Sequence, residues 1–529
     1  MNKKDIIIKW IQTFNITKTS VPKNTEYLEN LAAEDEAFWQ LPHFNNNGIW
    51  LKNEEQLSYS SINLYVVLSL VNTMLVKNRD KKDKKIFLFF DKTIDKNIEK
   101  NTIFFLKSKD FFVYKPNYVT IDELITLYSI RESQIPIAIT ITYNAFRDLY
   151  VVKLYEDGKE INQKDYQQIL RYLINEKHSF EFIQNEEVFE INTDKILKEI
   201  VNDFNFLEEK NNLYLNETLN VATIIEDSNT NFFISSLLTN FNIKHTKLNP
   251  FLHNKITRGS LFFNRILQSK FRYDMVFTIN KQNKISIYAK YQNKLVKLTT
   301  DQIIYFYLNF FFLNWKNSLK NKSKKLFIPI DSGFLVTNLV KGYRFEALYE
   351  NEIKDNSNII FGSDGTSFSH NRFNLFQESN LSFLLNFIHL FYIYKNSNTI
   401  FNYKYKKMLE FGSEYKVKTL RISAPDPEHL KENVYDFFAI GEKLSKEFQI
   451  DKIIKNDYAS ARFDHLLALE ISSNECVGKV YLKYDYYEKK VFVKCEVHQE
   501  KFQRRAIAIY QFKKLINSLK NKVKVLIKR

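Results

Sequence analysis

The sequence predicts three successive α/β units followed by a C-terminal α+β section. A chain of 529 residues exceeds one ordinary domain and suits about three or four. Short β-rich runs alternate with amphipathic helical stretches, the pattern of α/β domains. Towards the C-terminus this alternation gives way to consecutive β-rich runs, the pattern of an antiparallel sheet.

In the first unit, a helix-like stretch at Ile6–Ile11 is followed by a helix at Tyr59–Val76 and buried strands at Ile86–Phe90 and Ile135–Thr142. The second group opens on the strand Val221–Ile225 and ends in Met275–Ile279, with a hairpin-like pair, Lys284–Lys290 and Lys294–Leu298, after it. The third holds strands Leu326–Ile330 and Ile359–Phe361 and helices Asp301–Trp315 and Asn380–Tyr394. In the last section, Lys416–Ser423, His465–Ser472, Lys479–Lys483 and Lys490–Val497 form an antiparallel sheet, closed by a helix near Gln503–Leu519. The Lys-rich patches Lys77–Lys85 and Lys316–Lys325 read as solvated loops.

Composition narrows the class. At 44% hydrophobic and 26% charged, the chain has enough apolar residues for a substantial core. It is rich in Phe (47) and Tyr (31) and poor in Gly (10), a bias toward AT-rich codons that suggests a small AT-rich bacterial genome. The net charge of +16 resembles a nucleic-acid footprint, yet the same codon bias toward Lys accounts for much of it. Two cysteines, Cys476 and Cys495, exclude a disulfide scaffold, and the nine histidines show no metal-ligand spacing. The most apolar segment, Ile303–Trp315, contains Asn309 and Asn314 and falls short of the about 20 residues of a membrane span. With no signal peptide at the N-terminus, a cytoplasmic protein is expected.

Several segments carry a family likeness. Ile137–Gly158 reads IAITITYNAFRDLYVVKLYEDG, a strand, a polar turn, a second strand and an Asp-Gly turn. Upstream lies Phe44-Asn45-Asn46-Asn47-Gly48-Ile49-Trp50, and downstream the strand, loop and hairpin of Tyr273–Leu298, then Asn358–Phe368 and Lys483–Lys490. In this order and at these distances, they resemble the landmarks of the α-D-phosphohexomutases, the family of phosphoglucomutase and phosphomannomutase. The likeness spans nearly the whole chain. It implies a four-domain architecture: α/β domains at 1–200, 201–300 and 301–400, and an α+β domain with an antiparallel sheet at 401–529.

The family transfers a phosphoryl group between an enzyme hydroxyl and a sugar, chemistry that rests on positioning and charge neutralisation. The resemblance places Thr142 at the family's phosphoserine, with Tyr143 for His, Asn144 retained and Ala145 for Pro. Thr142 offers a hydroxyl, though a β-branched residue ending a strand is also ordinary. The family's Asp-rich Mg²⁺ loop is replaced by Asn280, Lys281, Gln282, Asn283 and Lys284. A hard dication wants carboxylate oxygens, so no cofactor is expected. Either Lys281 or Lys284 substitutes for the metal's charge, or the segment is a polar turn. In the sugar-loop position, Asp364 and Thr366 keep an acid and a hydroxyl suited to a polyol, within what also reads as a plain Asp-Gly turn. In the phosphate-loop position, Lys483 stands for the family arginine, Asp485 would repel a phosphate, and tyrosines replace the small residues that let backbone N–H groups approach it.

Erosion of all four loops points to a pseudoenzyme with a binding, regulatory or assembly role, whose partner is a hexose phosphate or another protein. Two alternatives stay open. One is a divergent active phosphohexomutase using Thr142 and a lysine. The other is a polyanion or nucleic-acid binder using basic-aromatic runs such as Tyr403–Lys407 and the tail Lys520–Arg529.

Overall fold

The structure is a computed structural model. It describes residues 3–17, 28, 32, 36–45, 48–54, 56–117, 122–175, 178–204, 219–226, 228–240, 243–248, 273–279, 285–292, 294–318, 325–349, 352, 359–363, 365, 368–370, 380–396, 401–413, 415–460, 462–474, 476–486, 488–499 and 505–528. These fall into two compact units, drawn from residues 1–204 and 205–529.

The first unit is one mixed sheet with helices. In chain order its elements are α1 (Lys3–Thr17), β1 (His43–Asn45), β2 (Gly48–Lys52), α2 (Leu64–Lys77), β3 (Lys85–Phe90), α3 (Lys96–Ser108), β4 (Phe112–Pro116), α4 (Glu123–Glu132), β5 (Ile137–Asn144), β6 (Leu149–Glu156), β7 (Lys159–Glu160), α5 (Gln163–Asn175), β8 (Phe189–Ile191) and α6 (Thr193–Phe204). The sheet runs β1-β2-β6-β5-β3-β4-β8, with β7 beside β6. Strands β5, β3, β4 and β8 are parallel, whereas β6, β2 and β1 continue it antiparallel.

The expected helix at Tyr59–Val76 begins five residues later, at Leu64. Asn63 stops it from extending backwards: its side-chain oxygen accepts from Val66 N at 3.0 Å, and its amide donates to Ser58 O and Ser61 O. Helix α2 is buried nearly all round and packs between α1, α3 and α5. Trp10 of α1, fully buried, meets Tyr65 of α2 at 4.7 Å, Phe38 at 5.1 Å and Tyr59 at 5.3 Å. Gly48 opens β2 at φ +108, and a Cβ there would lie 2.5 Å from Val152 O, so only glycine lets β2 approach β6.

The second unit carries three sheets. The first is β10-β9-β11-β12-β13, from β9 (Val221–Ile225), β10 (His245–Lys247), β11 (Met275–Ile279), β12 (Ile285–Tyr291) and β13 (Lys294–Lys297). Next is β15-β14-β16-β17, from β14 (Lys325–Ile328), β15 (Glu346–Tyr349), β16 (Ile359–Ser363) and β17 (Phe368–His370). The last is wholly antiparallel, β18-β22-β21-β20-β19, from β18 (Tyr415–Ser423), β19 (Gln449–Ala459), β20 (Phe463–Ser472), β21 (Cys476–Asp485) and β22 (Lys490–Gln499). Its helices are α7 (Ser228–Asn240), α8 (Thr300–Ser318), α9 (Phe334–Tyr343), α10 (Asn380–Asn396), α11 (Phe401–Phe411), α12 (Pro427–Phe437) and α13 (Arg505–Lys528).

One local order recurs three times. In β4-β3-β5-β6, β10-β9-β11-β12 and β15-β14-β16-β17, the first three strands are parallel and the fourth turns back. The fully antiparallel sheet breaks this pattern, as the consecutive β-rich runs predict. Its edges, β18 and β19, carry Lys416, Lys418 and Arg421, and Asp451, Lys452 and Lys455. Charged edges of this kind discourage pairing with other chains.

The basic-aromatic run Tyr403–Lys407 lies on helix α11, where Tyr405 is buried against Tyr291 and Phe401. The basic tail lies on α13, which buries Leu515, Leu519, Val523 and Leu526 in the core of the last sheet. Among the described residues no helix is long and apolar enough to cross a membrane.

Replacing Trp10 by Ala should lower the stability of the first unit by about 3–5 kcal/mol through lost burial and a cavity. Ile8, 47% exposed on the same helix, should tolerate Ala within about 0.5 kcal/mol. Denaturant titration followed by circular dichroism separates the two. Equal losses would mean that α1 is not anchored through Trp10.

Candidate functional site

A cavity of about 460 Å³ lies within the second unit. Its largest wall is one face of the antiparallel sheet, and strand periodicity decides which side chains reach it. On β22, Val491, Val493, Cys495 and Val497 turn into the core beneath α13. The alternate residues, Phe492, Lys494 and Glu496, therefore face the cavity. Register carries the pattern across the sheet: Tyr481 pairs with Lys494 and Lys483 with Phe492 on one side, Thr419 with Lys494 and Arg421 with Phe492 on the other.

Two ends of other elements close over this face. Asp301, in the first turn of α8, receives the Lys494 Nζ at 2.8 Å. The turn after β14 brings Asp331, whose carboxylate takes Lys483 Nζ at 2.6 Å and whose carbonyl takes Lys494 Nζ at 2.6 Å. Glu496 accepts the N–H of Phe334 at 2.8 Å, at the N-terminus of α9, where orphan N–H groups and the helix dipole favour a carboxylate. A Cβ on Gly333 would lie 2.6 Å from one Glu496 oxygen and 2.7 Å from an Asp301 oxygen. The absent side chain thus makes room for two carboxyl groups at one point.

The charges tune one another. Burial raises the Glu496 carboxyl to about 7, helped by the negative charge of Asp301 and opposed by Lys494 and the Phe334 N–H. Burial would also raise Asp331, but the ammonium groups of Lys483 and Lys494 outweigh it and hold that carboxyl well below its usual range. For Lys494 burial disfavours the charge, yet Asp301, Asp331 and Glu496 overcome it and raise its pKa. The floor of the cavity is therefore a set of paired ions around one carboxyl group that titrates near neutrality.

The loop at the far end of β21 is closed in a similar way. Arg462, fully buried, donates from Nε to both Asp485 oxygens at 3.1 and 3.0 Å and from Nη2 to Oδ2 at 2.5 Å. An internal carboxylate thus occupies the guanidinium fork, the geometry in which arginine takes phosphate or carboxylate bidentately. Asp485 also accepts from Glu488 N at 3.2 Å and pins the hairpin turn.

Of the residues singled out from sequence, Lys483 lines the cavity, tied to Asp331 and 4.0 Å from the Phe463 ring centroid. Gly365, between Asp364 and Thr366, also lines it, at φ +88 as an Asp-Gly turn requires. Asp364, Thr366 and Asn280–Lys284 themselves lie outside the described residues. Thr142 belongs to the first unit, half-buried in β5 and in register with Val151 of β6. Beside it the β5–β6 turn is held by Tyr143 Oη donating to Asp148 at 2.7 Å and by Asn53 donating to the same oxygen at 2.8 Å. At the start of β11 the Asp274 carboxylate accepts from Asn220 N at 2.9 Å, and at the strand's other end the backbone N–H of Glu226 donates to Ile279 O.

Asp331, Arg462, Lys494 and Glu496 were not singled out from sequence. A signal exists for two of them: Lys494 and Glu496 interrupt the apolar run of β22 at alternate positions, the mark of a polar face on a buried strand.

Because folding raises the Glu496 carboxyl from 4.5 to about 7, the folded chain holds this proton more tightly than the unfolded one. The associated stability is present below about pH 4.5 and is lost as pH rises through 7, by up to about 3 kcal/mol. Glu496→Gln keeps an acceptor for the Phe334 N–H and cannot ionise. Its stability relative to wild type, measured by denaturant unfolding, should therefore rise between pH 5 and pH 8. A constant difference across that range would contradict this account.

No protein-family model matches the sequence, and a search of curated proteins finds no match. Solved structures do resemble it. A putative phosphomannomutase from Thermus thermophilus superposes with a TM-score of 0.55 at 10% identity, covering 90% of this chain and 100% of that one. A phosphoglucomutase/phosphomannomutase family protein from Burkholderia thailandensis gives 0.55 at 9% identity, covering 90% and 96%. At these identities the likeness is one of fold, and the chain has the mixed α/β fold of these phosphomannomutase and phosphoglucomutase family proteins.

Proposed function

We propose that this chain is a non-catalytic phosphohexomutase-like protein, a pseudoenzyme whose second unit binds a ligand in its cavity. Each of the four sheets would mark one of the four domains that the family resemblance implies. The observation that carries the proposal is the internal neutralisation of the cations that a phosphosugar would need. Lys483 is held by Asp331, Lys494 by Asp301, and the Arg462 fork by Asp485. A phosphate entering here would have to displace a carboxylate at each of them, against paired charges in a low-dielectric setting.

Two further points support this reading. The segment Asn280–Lys284 supplies three amides and two ammonium groups, a donor set that does not suit Mg²⁺, so we assign no metal to the protein. Thr142 stands inside a paired strand, and the turn beside it is fixed by a Tyr143–Asp148–Asn53 cluster of hydrogen bonds rather than by small residues. A cavity whose polar floor is already satisfied suits binding better than turnover.

The test is intact mass spectrometry after incubation with a hexose 1,6-bisphosphate and Mg²⁺, with Thr142→Ala as control. The expected result is an unchanged mass in both. A stable gain of one phosphate in the wild type that is absent from the control would overturn the proposal and make Thr142 a nucleophile.

A further inference from the structure

The floor of the cavity is charge-balanced, but its mouth is not. Lys297, at the end of β13, lines the cavity with its side chain exposed to solvent. Among the described residues no carboxylate lies within 4 Å of it; its ammonium group lies 5.8 Å from the Tyr288 ring centroid, and although the residue reaches solvent, desolvation at the cavity wall and the Arg421 charge lower its pKa against the Glu488 charge. Arg421, on β18, lines the same cavity over the Phe492 ring at 5.1 Å, with its side chain 58% exposed. The anion nearest Arg421 is Glu488 at 3.7 Å, and Glu488 is shared with Lys490 at 3.4 Å and Arg462 at 3.7 Å. Lys297 and Arg421 thus line the cavity as two cations, and the ion pair that either makes among the described residues is the 3.7 Å contact of Arg421 with Glu488.

The walls differ from those expected of a sugar site. Leu335, Met408, Leu409 and Val417 present aliphatic surface to the cavity. Leu409 and Val417 stay 43% and 50% exposed although large and apolar. Two aromatic walls carry cations, Lys483 near the Phe463 ring and Arg421 near Phe492. Uncovered aliphatic surface beside a positive rim is the arrangement that a ligand with an apolar body and an anionic head would complete.

From this juxtaposition we infer that the cavity takes a small amphiphilic anion, with its carboxylate or phosphate head between Lys297 and Arg421 and an alkyl tail against Leu335, Met408, Leu409 and Val417. The inference rests on the proposed binding role and gives it a ligand class.

Calorimetric titration of the full chain with octanoate and with octyl phosphate tests it, beside octyltrimethylammonium and glucose 6-phosphate as probes lacking the negative head or the apolar tail. Saturable 1:1 binding of octanoate, octyl phosphate or both is expected, weakened about tenfold or more in Lys297→Met or Arg421→Met. Both variants alter exposed side chains and should keep the wild-type circular dichroism spectrum. The tighter of the two anions identifies the head group, and neither control should bind or compete. No saturable binding of either anion would overturn the inference, as would unchanged affinity in both variants or equal affinity for octyltrimethylammonium. A chain that gains phosphate from a hexose bisphosphate yet binds octanoate through Lys297 would overturn the pseudoenzyme proposal alone.

Discussion

Lys494 is the buried cation through which three separate parts of the second unit are joined. Its ammonium group leaves the face of β22 and meets the Asp301 carboxylate at the start of α8 and the Asp331 carbonyl in the turn before α9. Removing one partner of such a buried pair typically costs about 3–5 kcal/mol, because the other charge is left uncompensated. The neighbouring contacts follow from this placement. Lys483, on the same face of the neighbouring strand β21, reaches the Asp331 carboxylate, and Glu496 accepts from a helix N-terminus. Its neutral-range carboxyl comes from burial, helped by the Asp301 charge and only partly offset by Lys494.

On the proposed reading, the same network would let the fold persist without catalysis. Ion pairs that hold the antiparallel sheet to the ends of α8 and α9 serve packing whether or not a ligand is turned over. The threefold recurrence of parallel strands with an antiparallel fourth rests on buried apolar strand runs. Such features survive extensive substitution, since cores tolerate exchange among apolar residues of similar volume. Identities near a tenth are compatible with a shared fold on this basis, whereas polar loops carry no such constraint.

Legibility in the sequence followed the physical distinction between core and edge. Val221–Ile225 and Met275–Ile279 are readable to the residue because each is an apolar run, broken only by Thr223 or Thr278, and buried along its whole length. The strand Gln449–Ala459 escaped because it is a charged edge with little alternation, and Tyr403–Lys407 lies on α11, which turns Phe401, Tyr405 and Met408 to the core. Lys483 was found through the family likeness. Its partner Asp331 stands 152 residues away, and Arg462 meets Asp485 only through the pairing of β20 with β21, so neither contact has a local signature. The meaning of Asp485 changed accordingly. In the sequence it is a residue that would repel phosphate, and in the structure it is the anion held in the Arg462 fork.

Internal carboxylates occupy Lys483, Lys494 and Arg462, the cations that a phosphate would need on the proposed reading. Calorimetric titration of the wild-type chain with a hexose 6-phosphate, at physiological ionic strength, addresses that claim most directly. The account predicts only heats of dilution into the millimolar range. Saturable micromolar binding that is lost on replacing Lys483 or Arg462 by Met would contradict it, because those cations would then be available to phosphate despite Asp331 and Asp485.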